Sequence, residues 1–228
     1  MKRIMLLLLA ALFLQRAAQA APPDSAMAAI GTAFALDRHE VTNSQYAAFL
    51  NEKGNQREGR TLWLELGTRF SLIEMQEGRF VPKAGFDNHP VIEVSWEGAR
   101  AYCQWAGKRL PTEQEWHRAC AGTGGWSYPW GEEDAEGRAN LFGDKDGYAR
   151  TAPGGRFPAG ASPEGVMDLA GNVWEWTAAD SAAAAHLRGG SWVNGKSMAK
   201  CTARAAVSSD HSYVKSNSLG FRCARSLP

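Results

Sequence analysis

The chain has 228 residues, with 25 Lys and Arg against 24 Asp and Glu and a net charge of +1. That length carries one domain with a sizeable core. It leaves no polybasic arm for the counterion-release route to nucleic acid, and nothing after residue 20 approaches the ~20 consecutive apolar residues that span a bilayer.

The first twenty residues read as a secretory signal peptide. Lys2, Arg3 and Arg16 flank an apolar run from Ile4 to Leu14, no acid is present, and Ala18-Gln19-Ala20 is a small-x-small cleavage pattern. Ala21 follows rather than Cys, so there is no lipid-anchor signal. With residues 1–20 removed, 22 basic residues face 24 acidic ones. Export implies the periplasm and an oxidising environment. Residues 21–30, rich in Ala and Pro, read as a flexible lead-in, and residues 31–228 as a single domain.

Three helices are predicted in chain order. Thr42 and Gln45 form a capping box ahead of Tyr46, Phe49 and Leu50, which share one face. Ser95 caps a second helix in which Ala99, Tyr102, Cys103 and Ala106 follow helical spacing, with Gly107 as its stop. Thr112 and Glu115 make another capping box after Pro111, placing Trp116, Ala119 and Cys120 inward before Gly122. Between the first two helices, Phe70 to Met75 and Arg79 to Val81 flank Glu77-Gly78 as a hairpin. Beyond Gly122 the periodicity vanishes, except near Ala182–Ala185, and Gly, Pro, Asn and Asp become frequent. Trp126, Trp130, Trp174, Trp176 and Trp192 still give that half material to pack. The expected fold class is α+β, with helices first and then loops around a small sheet.

Cys103, Cys120, Cys201 and Cys223 are even in number and lack C-x-x-C spacing, so they read as two disulfides with three possible connectivities. His39, His89, His117, His186 and His211 are scattered without metal-ligand spacing.

Several segments resemble the formylglycine-generating enzyme, or sulfatase-modifying factor, family. They are Glu40-Val41-Thr42-Asn43, His89-Pro90-Val91 through Val94-Ser95-Trp96, Ala101 through Glu113, and Tyr128-Pro129-Trp130-Gly131. Gly171-Asn172-Val173-Trp174-Glu175-Trp176-Thr177, Arg188-Gly189-Gly190-Ser191-Trp192 and Leu219-Gly220-Phe221-Arg222-Cys223 complete the set. The likeness runs from about residue 33 to residue 225. It implies a C-type-lectin-like fold, loop-rich with little regular secondary structure, and the pairings Cys103–Cys223 and Cys120–Cys201.

The resemblance also marks a departure. The family's oxidases carry two redox-active cysteines just after the Gly-Gly-Ser motif, where they bind copper. Here Asn194 falls at the first, and the region of the second is shortened and has none. Ser218 stands where the family has an Asn before Leu-Gly-Phe-Arg-Cys. In that chemistry a thiolate ligates copper or attacks a disulfide, and Asn cannot replace it, so the resemblance implies a protein that is not an enzyme of this kind. Ser191, Trp174 and Asn172 then read as structure.

Two loops mix carboxylates, amides and unpaired carbonyls, the hard oxygen donors that suit calcium. The resemblance assigns the side chains of Asn140 and Asp146 with the carbonyls of Leu141 and Tyr148 to one Ca2+, with Asp144 beside them. It assigns the side chains of Asp168 and Glu175 with the carbonyls of Gly171 and Val173 to a second. The ordinary alternative is that these acids are turn residues. The tryptophans invite a lectin-like ligand reading, but the sugar-binding motifs of such folds are missing. Trp63, with Leu62, Leu64 and Leu66, lies in the stretch least like the family, as either a partner-binding surface or an added hairpin.

Within the family, this short signal-bearing chain without the active cysteines most resembles the TagR-type regulators. That resemblance implies a non-catalytic periplasmic protein that promotes activation of a membrane Ser/Thr kinase controlling type VI secretion. Its partner would be the kinase's periplasmic domain or another envelope protein. The competing expectation is a cysteine-independent oxidoreductase of siderophore maturation, with Glu175 or His211 as base.

Overall fold

The structure, a computed structural model, describes residues 26–143, 145–179, 185–207 and 214–228. Strands β1 (Met27–Ile30) and β2 (Phe34–Asp37) form an antiparallel hairpin, and the C-terminal strand pairs with the other edge of β2. Residues 27–30, expected within a flexible lead-in, are therefore part of a sheet. Alternate residues Ala28 and Ile30 turn inward and are 1% and 2% exposed, the period-two burial that fixes a strand's register.

Helix α1 (Asn43–Lys53) starts at the expected capping box, with Thr42 accepting from Gln45 N–H and the Gln45 side chain accepting from Thr42 N–H. Tyr46, Phe49 and Leu50 are buried on one face. The short strands β3 (Arg57–Glu58) and β4 (Thr61–Leu62) make a hairpin that delivers Trp63 onto α1, where its ring stacks on Phe49 at 5.0 Å. Trp63 and Leu64 are buried in the main core. The segment is thus the added hairpin, and the partner-surface reading fails. Strands β5 (Ile73–Gln76) and β6 (Arg79–Pro82) pair around Glu77 and Gly78. Both turn residues have positive φ, 48° and 78°, as the hairpin turn that matches strand twist requires.

Helix α2 (Trp96–Trp105) is capped by Ser95, which accepts from Gly98 N–H. Gly98 is required there, because a Cβ would lie 2.5 Å from the Trp63 carbonyl and from the Tyr46 hydroxyl. Helix α3 (Glu113–Ala121) begins at the Thr112–Glu115 capping box and ends at Gly122.

The second half supplies β7 (Trp174–Trp176), β8 (Ala185–Arg188), β9 (Arg204–Val207) and β10 (Leu219–Gly220), in the sheet order β10-β7-β8-β9, and finally β11 (Ala224–Ser226) beside β2. The helix expected near Ala182–Ala185 is not formed at its end, since Ala185 opens β8; residues 182–184 lie outside the described residues. Arg188 on β8 bonds Glu113 on α3 at 2.8 Å, joining sheet to helix. The disulfides are Cys103–Cys223 and Cys120–Cys201. Each ties a helix of the first half to a loop of the second. The result is a mixed α/β molecule with few helices and much irregular backbone. No helix among the described residues is long and apolar enough to cross a membrane.

Candidate functional site

Arg222 is wholly buried, and its guanidinium serves five acceptors. Nε and one terminal nitrogen each reach a Glu175 oxygen at 2.7 Å. The remaining donors reach the carbonyls of Asp37, Arg38 and Met167 at 3.1, 3.2 and 2.9 Å. Trp116 Nε1 adds a third hydrogen bond to the Glu175 carboxylate at 2.9 Å. This bidentate geometry is the strong form of an ion pair. Glu175 was expected as a calcium ligand, or as a base in an oxidoreductase; the structure pairs it with Arg222. Its charge is already neutralised by Arg222, and it is 0% exposed.

Asp168 of the second oxygen set is engaged as well. Asp168 accepts from Gly155 N–H at 2.7 Å and lies 3.7 Å from the His39 ring. Gly171 donates to Gly189, and Val173 N–H donates to Glu40. Burial, and after it the nearby charges of Asp168 and Glu175, push the Glu40 carboxyl well above the usual carboxylate range. The Arg222 guanidinium thus already supplies a positive charge to the Glu175 carboxylate in this set.

The first oxygen set is different. Asn140 is 1% exposed, and its Nδ2 donates to the Arg150 carbonyl and to Asn172 Oδ1, while its own Oδ1 has no hydrogen-bond partner. A buried amide oxygen left unpaired costs on the order of 1–3 kcal/mol, which a hard cation would relieve. Asp146 folds back so that its two oxygens accept from Leu141 and Tyr148 N–H at 3.0 and 2.9 Å. The carboxylate and the two residues expected to offer carbonyls thus share one turn. These donors fit a calcium ion; Asp144 lies outside the described residues. No three His, Cys, Asp or Glu side chains gather to hold a metal among the described residues.

Asn172 joins the two sets. Its Oδ1 accepts from Asn140 and from Ala152 N–H, and its Nδ2 donates to Glu40 at 2.5 Å. Its reading as structure agrees with this placement.

At the position of the family's first redox cysteine, Asn194 Oδ1 accepts from the Ser191 backbone N–H at 3.1 Å and from the Ser191 hydroxyl at 2.8 Å. The Asn194 carbonyl holds Phe142 N–H at 2.9 Å. All four cysteines are spent in disulfides, so no thiol is present near this loop. Beside it lies a groove of about 450 Å³, walled by Ala135, Leu141, Phe142, Gly195 and Lys196. The Phe142 side chain is 78% exposed. Sequence reasoning overlooked Phe142; the available signal was a large apolar residue in a Gly- and Asp-rich turn. It also overlooked Arg222, whose partners are scattered across the chain.

His89 and His117 serve as hydrogen-bonding residues. His89 is buried and bonds Thr151 at 3.0 Å, and burial pulls its pKa down. His117 bonds the Cys201 carbonyl, and His186 sits 3.2 Å from Glu113. His211 lies outside the described residues.

Residues 2–227 match the family described as sulfatase-modifying factor enzyme 1-like domain. The inactive C-alpha-formylglycine-generating enzyme 2 of Bos taurus is 44% identical over 237 residues, covering 84% of this chain and 76% of that protein. The serine/threonine-protein kinase pkn1 of Chlamydia caviae is 34% identical over 215 residues, which is 85% of this chain and 33% of the kinase. This chain therefore spans only part of that relative. Among solved structures, PvdO from Pseudomonas aeruginosa superposes with a TM-score of 0.65 at 24% identity, covering 85% of this chain and 80% of that one. Its structural neighbours have formylglycine-generating-enzyme-like, C-type-lectin-like folds, in keeping with the loop-rich α+β arrangement described above. On sequence and structure together, the chain belongs to the sulfatase-modifying factor enzyme 1-like domain family.

Proposed function

We propose that this chain is a non-catalytic periplasmic binding and regulatory protein that promotes activation of a membrane Ser/Thr kinase controlling type VI secretion. It would act through the kinase's periplasmic domain or through a partner protein of the envelope. One observation carries the non-catalytic part. Asn194, hydrogen-bonded to Ser191, stands where the resemblance to the family's oxidases asks for a thiol, and the four cysteines present are disulfide-bonded. A disulfide sulfur supplies no thiolate. The match to an inactive relative supports the same reading. The kinase part is supported by the match to pkn1, a kinase in which a third of the chain resembles this one, and by the likeness to TagR-type regulators. The two disulfides suit an exported protein.

Within this reading, Asn140, Leu141, Asp146 and Tyr148 hold one structural Ca2+ that braces the wall of the Phe142 groove. Calcium should raise the melting temperature and EDTA should lower it. Asp146→Asn should abolish that response, and a melting curve indifferent to both reagents sinks the ion.

The test of function is direct. The mature chain is titrated into the periplasmic domain of a type VI-linked Ser/Thr kinase, and autophosphorylation of the full-length kinase in vesicles is followed with and without it. Binding together with faster autophosphorylation is the expected result. Absence of both removes the kinase role. Conversion of a sulfatase-motif cysteine peptide to formylglycine would remove the non-catalytic one.

A further inference from the structure

Asn194, which marks the missing thiol in the reading above, is followed by Gly195, and the pair has a chemistry of its own that this reading does not use. Ser191 is 0% exposed, and both of its donors, the backbone N–H and the hydroxyl, converge on Asn194 Oδ1. Because a backbone N–H only donates, the atom facing it must be the side-chain carbonyl oxygen and not the amide nitrogen. Two donors fixed on one carbonyl oxygen polarise its carbon and stabilise the charge that develops on the oxygen when a nucleophile adds. The nearest nucleophile is the backbone nitrogen of the next residue. That residue is Gly195, which is exposed and has no side chain to hinder approach. It starts a short turn with φ of −76°. A Cβ placed on it would meet nothing within 4 Å, so its lack of a side chain is not a packing requirement.

We infer that Asn194 is a self-modification site that deamidates in the folded protein through a succinimide. The Gly195 N–H gives its proton to a solvent base, and its nitrogen bonds to Asn194 Cγ. The developing oxyanion rests on the two Ser191 donors. The Cγ–Nδ2 bond then breaks, and ammonia leaves carrying a proton from solvent. Water adds to either carbonyl of the five-membered ring, giving aspartate or isoaspartate at position 194. No oxidant or reductant is needed.

The product changes the groove. Aspartate places a carboxylate next to Gly195 and Lys196, both of which line it. Isoaspartate inserts a methylene into the main chain beside the carbonyl that holds Phe142 N–H, so the exposed ring shifts with it. This inference does not depend on what the groove binds.

The experiment incubates the full mature chain, folded, at neutral and mildly alkaline pH. Intact mass, peptide mapping and isoaspartate detection follow position 194, with a denatured sample of the same chain in parallel. Folded wild type should gain one mass unit at this position, at least as fast as the denatured chain, with isoaspartate as the main product. Gly195→Ala, which the open space tolerates, should slow the conversion by an order of magnitude or more. Ser191→Ala should slow it several-fold in the folded protein and leave the denatured rate unchanged. Retention of Asn194 in the folded chain while the denatured chain converts overturns the inference. So does conversion of folded Gly195→Ala at the wild-type rate.

Discussion

Residues 42–121 hold all three α-helices of the described chain, each opened by a side chain that bonds a backbone N–H three residues on. Residues 122–228 hold strands of two to four residues and short 3-10 turns. Their polar groups are gathered by side chains from distant positions: Asn172 from one loop, Glu175 from β7 and Arg222 from the chain's end. The difference shows two ways of satisfying a buried backbone. One closes locally and depends on a few consecutive residues. The other leaves carbonyls free and spends buried amides, guanidinium and carboxylate on them, so each such residue carries more of the fold.

The sharpest way to break that comparison is to remove the guanidinium. Arg222→Met leaves Glu175 buried without its partner and should cost about 3–5 kcal/mol, read as a shift of the urea midpoint. Adding Glu175→Gln in the same chain should return part of it. Next in size is the Cys120–Cys201 bridge, which joins α3 to the loop region. Replacing both cysteines by alanine should cost about 2–4 kcal/mol, measured the same way. Thr112→Ala removes the cap of α3 and should cost about 1 kcal/mol. A capping loss as large as the Arg222→Met loss would mean that the halves are not held differently.

The smallest effect concerns His89. Burial lowers its pKa below the ordinary 6.5, so the unfolded chain takes up a proton before the folded one does. The stability this supplies is fully present above 6.5 and is lost as pH falls toward the depressed folded value. Urea midpoints taken across that range should fall on acidification, and His89→Gln should flatten the curve.

The helices were legible because their signals are short: Thr42 and Gln45, or Thr112 and Glu115, lie within one turn of each other. The hairpin at Glu77-Gly78 was legible for the same reason. Arg222 was not, because its carboxylate lies 47 residues away and one of its carbonyls 185 residues away. The partner of Glu175 was hidden on that account, as a Glu in a Gly-Asn loop looks the same whether a cation or a guanidinium faces it. Trp63 was ambiguous because an aromatic residue between small strands gives no sign of which side the core will lie on. Residues 27–30 were missed because the partner of so short a strand supplies most of its identity.

Residues 221–225 come last among the parts the domain requires. Phe221 enters the main core, Arg222 meets Glu175, Cys223 closes the bridge to α2, and Ala224 and Arg225 pair with β2. A chain appearing N-terminus first can form its three helices early, yet it cannot seal any of these until residue 225 has emerged. Folding of the whole is therefore a late, single closure across a large sequence separation. Until that moment the apolar surfaces prepared for Phe221 and β11 stay open, the kind of exposure that favours association between growing chains.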